Sequence, residues 1–390
     1  MLYFSVKEYR ERIRKTKKRM EEAEIEVLLI SDPGNMNYLT GYDAWSFFVH
    51  QCIIIFLDQD EPIWIGRAGD AGAARLTTFL KEENIREYTG EYFQSKTMHP
   101  MMVVAEVIKE KGWERKILGL EMDQCYFTHR SFIELEKALP GAVFKDGNLL
   151  VNMVRRIKSE NEIRFMKIAG LIAVNVMKTA IDKVDVGIRE CDVAAVIAQA
   201  QYQGIPEYGG DYPAIVPLIM VGKRTMTPHL TWTERKIQKD EPIIMELSGV
   251  YKHYHAQIAR TIFIGTPPPL LAKSADILIE GLVKALEIIK PGLTCEEVHK
   301  RWLQVISEPP KLFEKSRIGY SVGLSYPPDW GDQTMNLQPG DKTVLKPNMT
   351  FHIIPGIWQE DVGFEVDATI RITENGCETL YEFPYELFKK

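Results

Sequence analysis

The sequence lacks the cysteine pattern of a disulfide-stapled or zinc-binding protein. Only five of its 390 residues are cysteines, and these are scattered, with no CxxC spacing among them. Scattered cysteines in odd number are typical of reduced thiols rather than disulfides. We therefore expect a cytoplasmic protein.

Long apolar runs and an excess of positive charge are also missing. No run approaches the roughly 20 apolar residues that a membrane-spanning helix needs. The opening stretch MLYFSVKEYRERIRK carries charges where a signal peptide would be apolar. The formal net charge is -6, and no dense basic stripe is present. We therefore expect neither a membrane nor a nucleic acid as a partner.

The first part of the chain has the pattern of an α/β domain. Hydrophobic residues make up 45% of the sequence, which suits a globular protein with a large core. Over residues 1–155, short β-branched runs such as IEVLLISD, CIIIFLD and KILGLE alternate with helical stretches. Such alternation favours an α/β fold. The segment DPGN after the first run predicts a turn.

The second part, residues 156–390, has a different order of elements. Ser159 and Glu162 predict a capping box at the start of a long helix. Further helical patterns follow, and strand-like segments such as PIIMELSGVY and EVDATIRIT come later. Helices first and strands later favour an α+β domain with a largely antiparallel sheet.

Four clusters in the second part hold the candidate functional residues. They are PHLTW with His229, ELSGVYKHYHAQIART with Glu246 and His255, RIGYSVGLSYPPDWGD with Tyr320, and TFHIIPGIWQEDVGFEVDATIRIT with His352, Glu365 and Asp367. Taken singly, each has an ordinary structural explanation, since a lone histidine is more often structural than catalytic. Glu246, however, follows an apolar strand segment, and a carboxylate that enters the interior needs a partner or a task.

The order and spacing of the four clusters resemble the pita-bread family, which includes methionine aminopeptidase, Xaa-Pro dipeptidase and creatinase. The resemblance covers nearly the whole chain. It implies an α/β N-terminal creatinase-like domain and an α+β pita-bread catalytic domain with a curved sheet. Peptidases of this family bind two metal ions through two aspartates, a histidine and two glutamates. Those five positions fall on Glu246, Gln257, Tyr320, Ile354 and Asp367.

Three of these five residues are unsuited to metal binding. An amide, a phenol and an isoleucine cannot hold a pair of divalent cations, which need anionic oxygen or imidazole ligands. We therefore expect no metal, no other cofactor and no peptidase activity. Metal-free members of the family, with creatinase the best known, hydrolyse C–N bonds of amidine- or guanidine-type substrates. The strings GGDYPAIVP, PHLTW and GYSVGLSYPPDWGD resemble the ectoine-hydrolase branch, which opens the cyclic amidine of ectoine to an acetylated diaminobutyrate.

This resemblance implies a role for each candidate residue. A cyclic amidine is protonated near neutral pH, so an acidic pocket would bind it without a metal ion. Glu246 is expected to attack the amidinium carbon or to hold the cation. His229 is expected to act as general acid and base, and Tyr320 to hydrogen-bond the tetrahedral intermediate. His255 is also expected among the catalytic residues, and substrate contacts are expected from His352, Glu365 and Asp367.

The resemblance also implies a homodimer. In creatinase-like dimers, the N-terminal domain of one subunit completes the active site of the other, and the matching stretch here is GYDAWSFFVHQ. Substrate contacts are therefore expected from Tyr42, Trp45, Phe47 and His50 of a second copy. The alternative is that these aromatic residues belong to the core or to an ordinary interface. Because ectoine carries a carboxylate, a cation or several donors should face Glu246 across the pocket.

Three other functions stay open on the sequence alone. The first is creatinase-like hydrolysis of an acyclic guanidino acid. The second is a divergent Xaa-Pro metallopeptidase, which Gln257, Tyr320 and Ile354 disfavour. The third is a pita-bread protein that binds without catalysis. Glu246 and His229 disfavour that last function, because a protein without catalysis has no need of an acid and an imidazole at these positions.

Overall fold

The computed structural model describes residues 2–306, 315–359 and 362–390. The chain forms two compact units, Met1–Arg155 and Arg156–Lys390. Within the described ranges, no helix combines the length and the apolar character needed to cross a bilayer. All five cysteines are free thiols.

The first unit is built on one mixed sheet. Its strands are β1 (Val27–Ile30), β2 (Cys52–Phe56), β3 (Ile63–Arg67), β4 (Ile85–Tyr88), β5 (Ile117–Leu120) and β6 (Val143–Asp146). They are ordered β4-β3-β2-β1-β5-β6. β1 is parallel to β5 and antiparallel to β2. With helices between the strands, this arrangement confirms the predicted α/β class.

Six helices accompany this sheet: α1 (Val6–Glu22), α2 (Pro33–Thr40), α3 (Ala71–Thr77), α4 (Pro100–Glu110), α5 (His129–Ala138) and α6 (Asn152–Arg155). The turn predicted at DPGN is wrong, because this segment begins α2. The Asp32 side chain caps the helix by accepting a hydrogen bond from the Asn35 N–H. Pro33 occupies the first helical position, where a missing N–H costs nothing.

A buried carboxylate joins β1, α2 and β5. Glu121 follows β5 and accepts hydrogen bonds from the backbone N–H groups of Ser31 and Asp32, both at 2.8 Å. Its other oxygen accepts from the Asn35 amide at 2.7 Å. Burial, together with the nearby Asp32 carboxylate, raises the pKa of Glu121 to about 7. The connection from β1 into α2 is thus fixed by a group that titrates near neutral pH.

In its described residues, the second unit has four α-helices, two larger sheets and one two-stranded sheet. The helices are α7 (Glu160–Lys183), α8 (Glu190–Gln203), α9 (Pro269–Ile288) and α10 (Cys295–Val305). The predicted capping box of α7 is confirmed. The Ser159 side chain accepts from the Glu162 N–H at 3.3 Å, and Glu162 accepts from the Ser159 N–H at 2.8 Å.

The first sheet of this unit contains β7 (Leu218–Val221), β8 (Pro242–Tyr251), β9 (Tyr254–Phe263) and β17 (Phe388–Lys389). The second contains β10 (Gly319–Val322), β11 (Gly331–Asn336), β12 (Thr350–Ile353), β15 (Ala368–Ile372) and β16 (Cys377–Thr379). β13 (Gly356–Gln359) and β14 (Val362–Glu365) form a separate pair. Apart from the parallel pair of β17 with β9, the described pairs are antiparallel. The predicted largely antiparallel α+β class is confirmed.

The two faces of β8 have different roles. A Cβ built on Gly249 would lie 2.1 Å from the Ala169 carbonyl oxygen and 2.2 Å from the Ala173 nitrogen, so α7 packs directly onto this strand. Leu247 shares that face and joins the same buried cluster. Because successive strand residues point to opposite faces, Glu246 points away from α7. The sheet thus presents Glu246 on the face that α7 leaves free.

Candidate active site

A cavity of about 520 Å³ lies in the second unit. Its polar wall contains His229, Glu246 on β8, Arg317, Tyr320 on β10, Asp329 and Asn336 on β11. Ile215 and Leu218 contribute an apolar side. The cavity therefore brings together three residues that the sequence singles out, which are Glu246, His229 and Tyr320. Its volume suits a small organic molecule.

Glu246 is the buried acid of this cavity, whereas Asp329, the second acid in its wall, is half-buried. The residue surface of Glu246 is only 5% exposed, and no group in the described ranges donates a hydrogen bond to its carboxylate. Burial and the Asp367 carboxylate raise the pKa of Glu246 to about 8, and the Arg317 guanidinium acts in the opposite direction. A cation in the cavity would favour the ionised form. Glu246 is thus an acid whose charge depends on what the cavity holds.

Tyr320 heads a chain of hydrogen bonds that runs into the interior. Its hydroxyl oxygen accepts from the Trp330 indole N–H at 2.8 Å and lies 3.0 Å from His352 Nδ1. His352 Nε2 lies 2.6 Å from Asp367 Oδ2. Since an ionised carboxylate only accepts hydrogen bonds, Nε2 donates to Asp367. The phenol is thereby linked to a buried carboxylate through an imidazole.

Both carboxylate oxygens of Asp367 are engaged by buried side chains. Its Oδ1 accepts from Arg260 Nη1 at 2.8 Å, and both residues are completely buried. Arg260 also donates to the backbone carbonyl of Pro384 at 2.7 Å. Asp367 and His352 do not line the cavity, so their predicted contact with substrate would have to run through Tyr320.

Glu365 is a third buried carboxyl group near these residues. It is completely buried, and neither oxygen accepts a hydrogen bond of normal geometry from any described residue. Burial, Glu246 and Asp367 all raise the pKa of Glu365 well above its usual range, and only the Trp358 indole opposes them. The surroundings of Glu365 thus disfavour its ionised form, and the side chain does not line the cavity wall.

His255 lies outside the cavity wall, and both of its ring nitrogens are occupied. Nε2 accepts from the Ala214 N–H at 2.9 Å, and Nδ1 donates to the His253 carbonyl at 2.9 Å. Burial lowers the pKa of His255 to about 3, so the ring is neutral. Its contacts fix the segment next to Ile215, which lines the cavity. These contacts are those of a positioning residue, and the catalytic role of His255 stays a prediction.

The predicted N-terminal contacts all lie in the first unit. Tyr42 is buried, and its hydroxyl is 2.8 Å from both Ser46 Oγ and Gln51 Oε1, so it offers no free polar group. Trp45 is 57% exposed, and its ring centroid lies 4.7 Å from that of Phe47. The His50 ring centroid lies 4.7 Å from that of His99. Of the four predicted contacts Trp45 is thus the most exposed, and its neighbour Phe48, at 64%, is more exposed still.

Arg317 is the cavity residue that sequence reasoning missed. Its Nη1 donates to Asn336 Oδ1 at 3.0 Å, and its guanidinium carbon lies 4.3 Å from the centre of the Tyr320 ring. One signal was available, because Arg317 is the only cation in the RIGYSVGLSYPPDWGD cluster. Trp330 was also missed, since its link to Tyr320 depends on folding.

The residues at the family's metal positions do not fit a dinuclear metal centre. Gln257 is a neutral amide and Ile354 is apolar. The Tyr320 hydroxyl is engaged by Trp330 and His352, and both oxygens of Asp367 are engaged by Arg260 and His352. Across the described parts of the chain, no group of three or more His, Cys, Asp or Glu side chains is placed to hold a metal ion. We therefore derive no step through a metal.

Comparison with known families identifies both units. The profile of metallopeptidase family M24 matches residues 164–374, and that of the creatinase/prolidase N-terminal domain matches residues 12–157. The two-unit fold is thus that of the creatinase and prolidase hydrolases. The chain belongs to metallopeptidase family M24, as the sequence predicted.

Individual relatives agree with this assignment. The chain is 41% identical to ectoine hydrolase from Halomonas elongata over 395 aligned residues, which cover 100% of this chain and 99% of that protein. It is 28% identical to Xaa-Pro dipeptidase from Pyrococcus furiosus, over 97% of this chain and 99% of that protein. The solved prolidase from Pyrococcus horikoshii OT3 superposes with a TM-score of 0.81 at 25% identity, covering 97% of this chain and 100% of that one. The chain is a hydrolase of this family.

Proposed function

We propose that this chain hydrolyses the cyclic amidine of ectoine without a metal ion and releases N-acetyl-diaminobutyrate. The observation that carries the proposal is Glu246, a buried cavity carboxylate with no hydrogen bond from the described residues. The similarity to the Halomonas elongata ectoine hydrolase supports the substrate. The residues at the family's metal positions support metal independence.

The cavity suits a substrate that brings its own positive charge. An amidinium ion next to Glu246 stabilises the ionised carboxylate and lowers its pKa from about 8. The same positive charge makes the amidinium carbon electrophilic, so no Lewis acid is needed to polarise it. Substrate binding and activation of Glu246 thus occur together.

The proposed reaction adds one water molecule across a C–N bond of the ring. The water oxygen ends on the amidine carbon, the bond to one ring nitrogen breaks, and that nitrogen leaves as an amine after protonation. Glu246 acts by one of two routes, attacking the carbon to form a covalent intermediate or holding the cation while water attacks. His229, exposed at the cavity, moves the protons between water and the departing nitrogen.

The Tyr320 chain provides a hydrogen-bond donor for the tetrahedral intermediate. The Tyr320 O–H turns towards the cavity and donates to the intermediate, while the Trp330 indole N–H donates to the phenolic oxygen. Asp367, 2.6 Å from His352 Nε2, fixes the imidazole that lies against the phenol. Glu365 places a third buried carboxyl group near Glu246 and Asp367, and His255 fixes the wall near Ile215.

The assembly and location are part of the proposal. A homodimer would let Trp45 and Phe47 of a second copy cover the substrate ring, with His50 as a polar contact. The buried hydroxyl of Tyr42 restricts that residue to supporting the stretch, through Ser46 and Gln51. The free thiols support a cytoplasmic location.

A three-substrate assay tests this function. Ectoine, creatine and an Xaa-Pro dipeptide are incubated separately with the wild-type chain, with Glu246→Gln and with the exposed control Glu234→Gln. We expect turnover of ectoine alone, lost by at least about 100-fold in Glu246→Gln and kept in the control. Turnover of creatine or of the dipeptide in place of ectoine would contradict the proposal. Mass spectrometry of the Glu246 peptide after rapid quenching separates the routes, because an adduct forms only by direct attack.

A further inference from the structure

A buried acid and a cation border the same cavity. Glu246 supplies a carboxylate from β8, and Arg317, which precedes β10, supplies a guanidinium. Both side chains line a space of about 520 Å³. An exposed arginine elsewhere on a protein surface has no special meaning, but this one shares a ligand-sized cavity with a buried acid.

The Arg317 guanidinium is oriented on two sides. Nη1 donates to Asn336 Oδ1 at 3.0 Å, and the guanidinium carbon stacks 4.3 Å from the Tyr320 ring centre. Tyr320 and Asn336 are directly paired across β10 and β11, so one pair of strand residues holds both contacts. Stacking and a hydrogen bond together restrict the rotamers of a side chain that would otherwise be mobile.

Towards the residues that the structure describes, most donors of Arg317 are unused. A guanidinium has five N–H donors, and one contact to Asn336 accounts for one of them. Over the ranges that the structure describes, no carboxylate lies within 4.0 Å of Arg317. Arg260 offers a contrast within the same unit, because its guanidinium is buried and paired with Asp367 at 2.8 Å.

We propose that Arg317 binds the carboxylate of the substrate, so that the cavity selects small zwitterions with a cationic end at Glu246 and an anionic end at Arg317. This inference rests on the proposed function for the identity of the cationic end. A planar guanidinium fork matches the two oxygens of a carboxylate, which suits it to this task better than a lysine. The substrate class is therefore an amidine that bears a carboxylate, and an amidine without one binds weakly.

Binding measurements with a pair of matched ligands test the inference. Ectoine and the methyl-tetrahydropyrimidine that lacks only its carboxylate are titrated by calorimetry into the EDTA-treated full chain, at a temperature where turnover is slow. The variants are Arg317→Met, which keeps a stem of similar shape, and Arg317→Lys, which keeps the charge without the fork. Arg301→Met, at an exposed position on α10, is the control.

We expect Arg317→Met to weaken ectoine binding by about 10- to 100-fold, the range for a hydrogen-bonded charged pair. Arg317→Lys is expected to weaken ectoine binding less, and Arg301→Met is expected to leave the affinity for ectoine unchanged. Binding of the ligand without a carboxylate is expected to be weak in the wild-type chain and unchanged in Arg317→Met.

An equal loss for both ligands in Arg317→Met, or no loss for ectoine, would overturn the inference. These results also distinguish failure of this inference from failure of the proposed hydrolase function. If ectoine binds in an Arg317-dependent way but is never hydrolysed, the zwitterion site stands and the hydrolase proposal fails. If ectoine is hydrolysed and binds Arg317→Met as tightly as the wild-type chain, only the proposal of a zwitterion site fails. If ectoine does not bind the wild-type chain, both fail.

Discussion

Tyr320 and His352 lie directly opposite each other on the antiparallel strands β10 and β12, with the phenolic oxygen 3.0 Å from Nδ1. Cross-strand neighbours have their side chains close together, so the sheet itself sets this contact. The same imidazole reaches Asp367, just ahead of β15, at 2.6 Å. A phenol at the cavity is thus tied to a buried carboxylate through the register of three strands.

Removing the Tyr320 hydroxyl tests the role of this chain. In Tyr320→Phe the intermediate loses one donor, and we expect kcat to fall about 100-fold while KM changes little. The Trp330 N–H also loses its acceptor, so stability should fall by about 1–3 kcal/mol. Steady-state kinetics and thermal unfolding measure the two effects. Tyr202→Phe, at an exposed position on α8, is the control. An unchanged kcat in Tyr320→Phe would remove Tyr320 from the mechanism.

The raised pKa of Glu246 predicts that kcat/KM falls as the pH is lowered. In the free chain the carboxyl is neutral below about 8 and ionised above it. If the ionised form acts, kcat/KM rises with pH by up to tenfold per unit and levels off near that value. Arg317 lowers this pKa, so Arg317→Met should move this rise to higher pH. A profile that is flat between about pH 6 and 8 would contradict the assignment of Glu246.

The close packing of α7 on β8 at Gly249 predicts that even a methyl group at this position lowers the stability of the fold. A methyl group there meets the backbone of Ala169 and Ala173 at 2.1 and 2.2 Å, so α7 must shift. We expect Gly249→Ala to lower the free energy of unfolding by about 3 kcal/mol or more. Gly72, an exposed residue of α3, has no atom within 4 Å of a built Cβ. Gly72→Ala should instead stabilise by about 0.5–1 kcal/mol. Equal effects of the two substitutions in urea unfolding would contradict this packing.

Glu121 predicts a pH dependence of stability in the first unit. Its folded-state pKa of about 7 exceeds the ordinary value of 4.5, so the folded chain holds the proton more tightly than the unfolded chain. The free energy of unfolding should therefore fall as pH rises from about 4.5 to about 7, and the loss is complete above that window. In Glu121→Gln this contribution to the slope is absent. Urea unfolding across the window measures the slopes, and parallel curves would refute the assignment.

Local sequence signals predicted most of the fold. The apolar runs fixed the place of β1, β2, β5 and β8, and the Ser159–Glu162 pair marked the start of α7. Local signals were misleading where two structures share one pattern. DPGN suits a turn, but Asp32 and Pro33 are also ideal for a helix N-terminus. EVDATIRIT suits one strand, but β14 ends at Glu365 and β15 begins at Ala368.

The candidate site was only partly predictable, because its contacts join residues far apart in the chain. Glu246, His229 and Tyr320 stood out through their motifs, and they share a cavity. The link from His352 to Tyr320 depends on strand register, which no local pattern specifies. Likewise, the contact of His255 with Ala214 spans 41 positions. Arg317 was missed because its importance comes from sharing the cavity with Glu246.

The most direct test of the central claim is NMR of the EDTA-treated chain incubated with ectoine. We predict that the ring signals disappear and those of N-acetyl-diaminobutyrate appear at the same rate with and without added manganese or cobalt. A chain that is silent towards ectoine but cleaves an Xaa-Pro dipeptide once manganese or cobalt is added would contradict the account. In that case the residues at positions 257, 320 and 354 would not have abolished the family's metal chemistry.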